Sequence, residues 1–119
     1  MNVFILAGQS NMGGAASAEE LPPLFREPPE NVALYSAGRW APLEPRERFG
    51  PEIAFGHAMA EAWPDEEIGL VKFAAGGTSL MAWHPEWTRA RAAVTDNAEA
   101  GPLYQTLMST VDSALAERP

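Results

Sequence analysis

The segment Val3-Phe4-Ile5-Leu6-Ala7-Gly8-Gln9-Ser10 decides the fold of this chain. Val3–Ala7 is short, uninterrupted and made of β-branched or bulky residues, which is typical of a strand buried on both faces of a parallel sheet. Gly8 closes it. Ile68–Ala74 has the same character and is stopped by Gly76-Gly77. The sequence therefore predicts two core strands, each followed by a glycine-rich turn.

Two helices alternate with these strands. The first begins at Gly50-Pro51-Glu52, because proline suits the first turn and a glutamate there faces the positive end of the helix dipole, and it ends at Pro64. The second follows Gly101-Pro102 and has apolar residues at i, i+4 spacing, namely Leu103, Leu107, Val111 and Leu115. The alternation of strand and helix predicts an α/β sheet with parallel crossovers.

The region between Ala15 and Gly50 contains six prolines, which disfavour long helices and central strands. Within it, Asn31–Tyr35 and Arg39–Leu43 predict a small hairpin around Ser36-Ala37-Gly38. Two core strands are few for an α/β sheet. We therefore expect residues 1–119 to be the N-terminal part of a single larger domain, truncated after the second core strand and its following helix.

The composition excludes several function classes. Eight Lys and Arg against sixteen Asp and Glu give a net charge of −8, which disfavours nucleic acid and anionic membranes as partners. The chain has no cysteine, so disulfides, thiolate zinc sites and a cysteine nucleophile are excluded. The longest apolar run, Val3–Ala7, is far shorter than the roughly 20 residues of a membrane span and lacks the basic flank of a signal peptide. These features predict a soluble, cytoplasmic protein.

In open α/β sheets, functional sites form outside the carboxyl ends of the strands, so Gly8–Gly14 is the first segment to inspect. It lacks the lysine of a Walker A loop, the Rossmann G-x-G-x-x-G pattern and the G-x-S-x-G nucleophile elbow. What remains is a serine two residues past a buried strand, in a tight turn. That geometry suits a Ser10 nucleophile with its own N–H as an oxyanion donor. A plain helix N-cap at Ser10 is the alternative.

The turn after the second strand reads Gly76-Gly77-Thr78-Ser79 and is predicted to open on the same edge of the sheet. A backbone N–H of Gly76 or Gly77 could point at an oxyanion formed on Ser10. An ordinary left-handed turn is the alternative. Trp83 and His84 follow closely enough in the sequence for their side chains to line a pocket there. We expect both turns to lie in one cleft.

Three segments, Gly8-Gln9-Ser10-Asn11-Met12, Gly50-Pro51-Glu52 and Gly76–Leu80 with Trp83, occur in this order. Together they resemble the N-terminal motifs of the sialate O-acetylesterase and acetyl xylan esterase group of SGNH hydrolases, and the resemblance spans nearly the whole chain. It implies a three-layer α/β/α sandwich with a parallel sheet. It also implies a serine esterase that removes acetyl groups from sugar hydroxyls through an acetyl-enzyme, with no metal and no cofactor.

The resemblance also implies roles for individual residues. Ser10 would be the nucleophile and would supply one oxyanion donor, while Gly76 would supply the second, with Gly77 as the alternative donor. Asn11 would hold the turn. The residues expected to contact the acetylated carbohydrate are Gln9, Asn11, Thr78, Trp83 and His84.

The catalytic base is the point of departure from the family pattern. The later Q-G-E-x-D and D-x-x-H segments of the family have no counterpart before Pro119, and the only histidines are His57 and His84. His57 lies on the apolar face of a predicted helix and is interpreted as a core histidine. His84 is nearer the expected pocket, but a loop residue packing beside Trp83 is favoured over a surrogate base.

Two acidic residues are interpreted without a catalytic role: Glu52 as a partner of the helix dipole and Asp112 as a solvated helix residue. The first functional hypothesis is thus a carbohydrate O-acetylesterase represented by its N-terminal portion, weakly active or inactive alone. The second is a catalytically silent carbohydrate- or anion-binding module. A truncated sheet would also leave an open edge through which chains could associate.

Overall fold

The computed structural model describes residues 1–118. The strands are β1 (Asn2–Gly8), β2 (Ala16–Ser17), β3 (Val32–Ser36), β4 (Arg39–Pro42), β5 (Arg48–Phe49) and β6 (Ile68–Ala74). The helices are α1 (Ser10–Gly13), α2 (Glu52–Ala62), α3 (Arg89–Ala92) and α4 (Leu103–Ala116), with short 3-10 turns at Ala18–Glu20, Pro23–Phe25 and Leu80–Trp83. In this part of the chain, no helix has the length and apolar character needed to cross a bilayer.

The main sheet has four strands in the order β1-β6-β3-β4. β6 pairs in parallel with β1 on one side and with β3 on the other, whereas β4 pairs antiparallel with β3. The predicted α/β class with a mostly parallel sheet is therefore confirmed. Residues 16–17 and 48–49 form a separate two-stranded antiparallel ladder that ties the segment after α1 to the segment before α2.

The predicted hairpin forms, but it belongs to the main sheet, so the expectation of only two core strands is wrong. β3 contains no proline and carries the buried residues Val32 and Tyr35. Pro42 ends β4, the terminal strand of the sheet, where a missing N–H leaves no ladder bond broken. The prolines of this region thus flank the two strands and do not interrupt the ladder.

The core has two parts because successive side chains of a strand point to opposite faces. Ile68 and Leu70 of β6 pack with Ile53 of α2, while Val71 packs with Val111 of α4. A helix therefore covers each face of the sheet. On the α4 face, burial and the nearby Glu117 carboxylate raise the pKa of the Tyr35 hydroxyl.

Two glycines with left-handed backbone allow a matched test of how tightly the small ladder holds the turn after α1. Gly14 has φ +91°, and an added Cβ would overlap the Phe49 carbonyl. Gly38 has φ +80° but no atom within 4 Å of an added Cβ. Gly38→Ala should cost about 1–2 kcal/mol from backbone strain alone. Gly14→Ala should lower the free energy of unfolding by clearly more, because the backbone at Phe49 must move to make room for the added Cβ. Urea unfolding of both variants measures this, and equal losses would contradict the tight packing.

Candidate active site

The two glycine-rich turns lie side by side at the carboxyl edge of the sheet. β1 and β6 are paired in register to their last residues, with Gly8 opposite Ala74, and the Ala75 N–H donates to the Gly8 carbonyl at 3.0 Å. A Cβ placed on Gly76 would lie 3.9 Å from the Ser10 Cβ. The parallel pairing therefore brings Ser10 next to the Gly76-Gly77 turn, as expected from the strand order.

Ser10 begins the single helical turn α1 and is exposed. The turn is closed by two backbone hydrogen bonds, from the Gly13 N–H to the Gln9 carbonyl at 2.9 Å and from the Gly14 N–H to the Ser10 carbonyl at 2.8 Å. Gln9 occupies the cap position, without a side-chain capping bond. The alternative of Ser10 as a helix N-cap is therefore wrong, and its hydroxyl is left for other contacts. Gln9 and Asn11 on either side are also exposed.

Thr78 stabilises the turn after β6 through two hydrogen bonds. Its hydroxyl donates to the Ala75 carbonyl at 2.8 Å and accepts the indole N–H of Trp83 at 3.0 Å. The Trp83 ring in turn meets Phe73 edge to face, with centroids 5.6 Å apart. Gly77 has φ +69°, a left-handed conformation that favours glycine. Thr78 and Trp83 thus fix the path of the backbone that carries the Gly76 and Gly77 amides.

Two open cavities flank this pair of turns. One, of about 350 Å³, is lined by Ala7, Gly8, Gln9, Thr78, Ser79, Leu80 and Trp83. The other, of about 670 Å³, lies between Gln9, the Gly77–Ser79 turn and the loop Val94–Asn97. Of the residues expected to contact a carbohydrate, Gln9 and Thr78 line both cavities and Trp83 lines the first. Asn11 and His84 line neither.

Asn97 is a site residue that the sequence pattern did not reveal. Its side-chain amide donates to the Gly77 carbonyl, which ties the Val94–Asn97 loop to the turn. The loop lies beyond the last motif of the sequence and contains no strand or helix periodicity. Nothing in the local pattern points to this contact, because it joins residues 20 positions apart.

A buried ion pair contacts the last residue of the turn that Ser10 begins. The Lys72 ammonium lies 2.7 Å from Glu52 Oε2 and donates to the Gly13 carbonyl at 3.0 Å. Both oxygens of Glu52 also accept the Gly50 N–H, at 3.1 and 3.2 Å. Glu52 is only 5% exposed, so it is more than the dipole partner expected from its first-turn position. Lys72 was detectable in the sequence, as the one charged residue of the apolar strand β6.

Neither histidine lines the two cavities that flank the glycine-rich turns. The Nδ1 atom of His84 accepts the Glu86 N–H at 3.0 Å, and the ring is exposed. His57 lies in α2, is half-buried and packs edge to face against Phe25, with centroids 5.1 Å apart. Asp112 is exposed on α4. Across residues 1–118, no three His, Asp or Glu side chains converge as a metal site requires.

Comparison with known proteins identifies the class. The family model of carbohydrate esterases described as sialic acid-specific acetylesterase (SASA) matches residues 1–118, and the chain belongs to this family. The X-ray structure of a protein from Arabidopsis thaliana is similar in fold, with a TM-score of 0.69 and 22% identity over 94% of this chain and 50% of that one. The chain thus spans half the length of the Arabidopsis protein. No curated protein matches the chain significantly.

The Lys72–Glu52 pair gives a prediction for stability. Lys72→Met should lower the free energy of unfolding by about 3–5 kcal/mol, because it leaves the Glu52 carboxylate buried without its counterion. Adding Glu52→Gln to Lys72→Met should recover part of that loss. Arg89→Gln is the control, since it breaks an exposed pair with Glu99 and should cost at most about 1 kcal/mol. Urea unfolding followed by circular dichroism measures all three. A Lys72→Met loss no greater than that of Arg89→Gln would show that the buried pair does not support the site.

Proposed function

We propose that this chain is the N-terminal part of a serine esterase that removes O-acetyl groups from carbohydrates, with Ser10 as the nucleophile. The observation that carries the proposal is the position of the exposed Ser10 against the Gly76-Gly77 turn. Membership in the carbohydrate esterase family supports it. The three-layer α/β/α sandwich of SGNH hydrolases is the fold we propose for the complete domain.

The reaction follows from the two turns. A general base takes the proton of the Ser10 hydroxyl as the Ser10 oxygen attacks the acetyl carbonyl, and the carbonyl electrons move onto the carbonyl oxygen. The Ser10 N–H, at the first position of α1, has no partner within the helix and can donate to that oxyanion. The Gly76 N–H is the second donor, with Gly77 as the alternative. Collapse of the tetrahedral intermediate breaks the ester bond, and the protonated base gives its proton to the leaving sugar oxygen. Water then cleaves the acetyl-serine to acetate and restores the Ser10 hydroxyl.

The proposed reaction also needs a catalytic base. A serine hydroxyl needs an adjacent base to become a strong nucleophile. His84 Nδ1 is engaged by the Glu86 N–H, and His57 packs against Phe25. We propose that a D-x-x-H segment outside this sequence provides the base, and that residues there complete the sheet. The longer Arabidopsis chain of similar fold supports this.

The acetylated carbohydrate would bind across the two flanking cavities. Gln9 and Thr78 line both cavities, and the half-buried Trp83 offers an apolar surface to one of them. Such a mixture of polar groups and an aromatic ring is typical of small-molecule sites. Asn11 and His84 remain proposed contacts at the rim.

Covalent labelling of Ser10 tests the proposal. We expect a fluorophosphonate serine probe to label this chain slowly and a version extended through a D-x-x-H segment rapidly. Without a base, the chain should hydrolyse nitrophenyl acetate only at a trace rate. Oxyanion donors and binding alone accelerate such a reaction by about 10³–10⁴-fold over the rate in water. Ser10→Ala should abolish labelling, whereas Ser109→Ala, an exposed serine on α4, should not change it.

Two results would contradict parts of this proposal. A robust rate that is lost in His84→Ala and inflects near the imidazole pKa would make His84 the base of a complete enzyme. Failure of the extended chain to react with the probe, together with retained sugar binding, would favour the alternative of a silent carbohydrate- or anion-binding module. The local engagement of His84 is the observation that favours that alternative.

We also propose that chains of this length associate through β1, the terminal strand of the described sheet. An unpaired strand edge offers free N–H and C=O groups, and Ile5 on β1 is 49% exposed. Ile5→Lys should shift the chain toward monomer in analytical ultracentrifugation, because an edge lysine opposes pairing. Leu115→Lys, on α4 and 50% exposed, is the matched control and should leave the distribution unchanged. Monomeric wild-type chain at high concentration would contradict the proposal.

A further inference from the structure

The Gly76-Gly77 turn carries two backbone donors that have no partner in the described part of the chain. Within residues 1–118, the N–H groups of Gly76 and Gly77 donate to no protein acceptor, and both residues are exposed. Such groups stabilise a developing negative charge best when their direction is fixed before the reaction. Two successive glycines fix it poorly, because glycine adopts many backbone conformations at little cost. The turn therefore needs contacts from outside itself.

Hydrogen bonds, and not side-chain packing, supply these contacts. An added Cβ on Gly77 would meet no atom within 4 Å, so no neighbouring group packs against that side of the residue. The Thr78 hydroxyl donates to the Ala75 carbonyl at 2.8 Å, which joins the two ends of the turn. Between these ends, the Gly77 carbonyl accepts the side-chain amide of Asn97. Within residues 1–118, this is the only hydrogen bond to a polar group of either glycine.

Asn97 is itself held in place by its own loop. Thr95 donates twice to the Ala92 carbonyl, from its N–H at 2.9 Å and from its hydroxyl at 2.7 Å. Ala92 is the last residue of α3 and is only 2% exposed. On the other side, the Asn97 carbonyl accepts the Ala100 N–H at 3.0 Å. The loop is thus anchored on a buried residue, independently of the glycine turn.

The contact at Gly77 requires a hydrogen-bond donor. A carbonyl oxygen only accepts hydrogen bonds, so neither an ionised aspartate nor an apolar side chain can replace the amide of Asn97. The bond fixes the plane of the peptide group that follows Gly77, while Thr78 fixes the start and the end of the turn. Together they restrict rotation of the Gly76–Gly77 peptide group between them. The direction of its N–H therefore depends on Asn97.

We infer that Asn97 is a positioning residue of the oxyanion site. It holds the Gly76-Gly77 turn in the orientation in which the turn's N–H groups meet an oxyanion formed on Ser10. This inference rests on the proposed function, because it assigns the oxyanion to an ester attacked by Ser10. Asn97 acts through the Gly77 carbonyl and takes no part in making or breaking bonds.

The rate at which a fluorophosphonate probe labels Ser10 tests this role. Asn97→Ala should lower the rate at saturating probe by about tenfold or more, because complete loss of one oxyanion donor costs about 10²–10³-fold and this variant displaces the donors without removing them. The half-saturating probe concentration should change little. Asn97→Asp should lose at least as much. Asn31→Ala is the matched control, since the Asn31 amide donates to the Trp63 and Glu66 carbonyls at the opposite edge of the sheet, and it should keep the rate.

Nuclear magnetic resonance of the chain labelled with nitrogen-15 glycine reports on the turn without any reaction. In Asn97→Ala, the amide signals of Gly76 and Gly77 should shift or broaden, because the turn is no longer held in one orientation. The signal of Gly56, which is buried in α2, should stay unchanged and shows that the variant is folded.

The outcomes separate this inference from the esterase proposal. An unchanged labelling rate in Asn97→Ala, an equal fall in Asn31→Ala, or unchanged glycine signals would each overturn the role of Asn97. Asn97→Asp, which keeps the shape of the side chain, repeats the test should Asn97→Ala unfold. Glycine signals that move in Asn97→Ala, with no labelling of Ser10 in any length of chain, would keep Asn97 as the residue that holds the turn and would contradict the esterase proposal.

Discussion

The parallel pairing of β1 with β6 is the constraint on which the site depends. The two strands remain in register to Gly8 and Ala74, so the turns that follow them start at the same level of the sheet. One turn carries Ser10 and the other carries the Gly76 and Gly77 amides. A slip of one strand by one residue would turn its side chains to the opposite face and displace Ser10 from Gly76. The hydrophobic faces of the sheet, which fix the register, therefore also fix the position of Ser10 relative to Gly76.

The Lys72–Glu52 pair is the second constraint, and it links three elements that are far apart in the chain. Burial of either charge alone is costly, so each side chain has its geometry set by the other. The Gly50 N–H and the Gly13 carbonyl complete the network. As a result, the start of α2 and the end of α1 are held against β6.

Most of the fold was predictable from local patterns, and the failure at β3 has a clear cause. The six prolines between Ala15 and Gly50 argue against central strands when they are counted together. Their positions matter more than their number: Pro28 and Pro29 precede β3, and Pro42 lies at the end of the terminal strand β4. Five residues, of which Val32 and Tyr35 are buried, were enough to pair β3 with β6. Whether a short strand is central or peripheral depends on its partners, which a local pattern does not contain.

The sequence by itself determined the α/β class, the two glycine turns and the family, because these depend on short segments with fixed spacing. It also singled out Ser10 and Gly76, which lie directly after recognisable strands. Only the tertiary structure decided that Asn97 ties down Gly77 and that Glu52 pairs with Lys72. These contacts join residues from different elements, and their geometry follows from strand order and helix packing. No spacing in the sequence encodes them, because the intervening chain can vary in path without changing its local pattern.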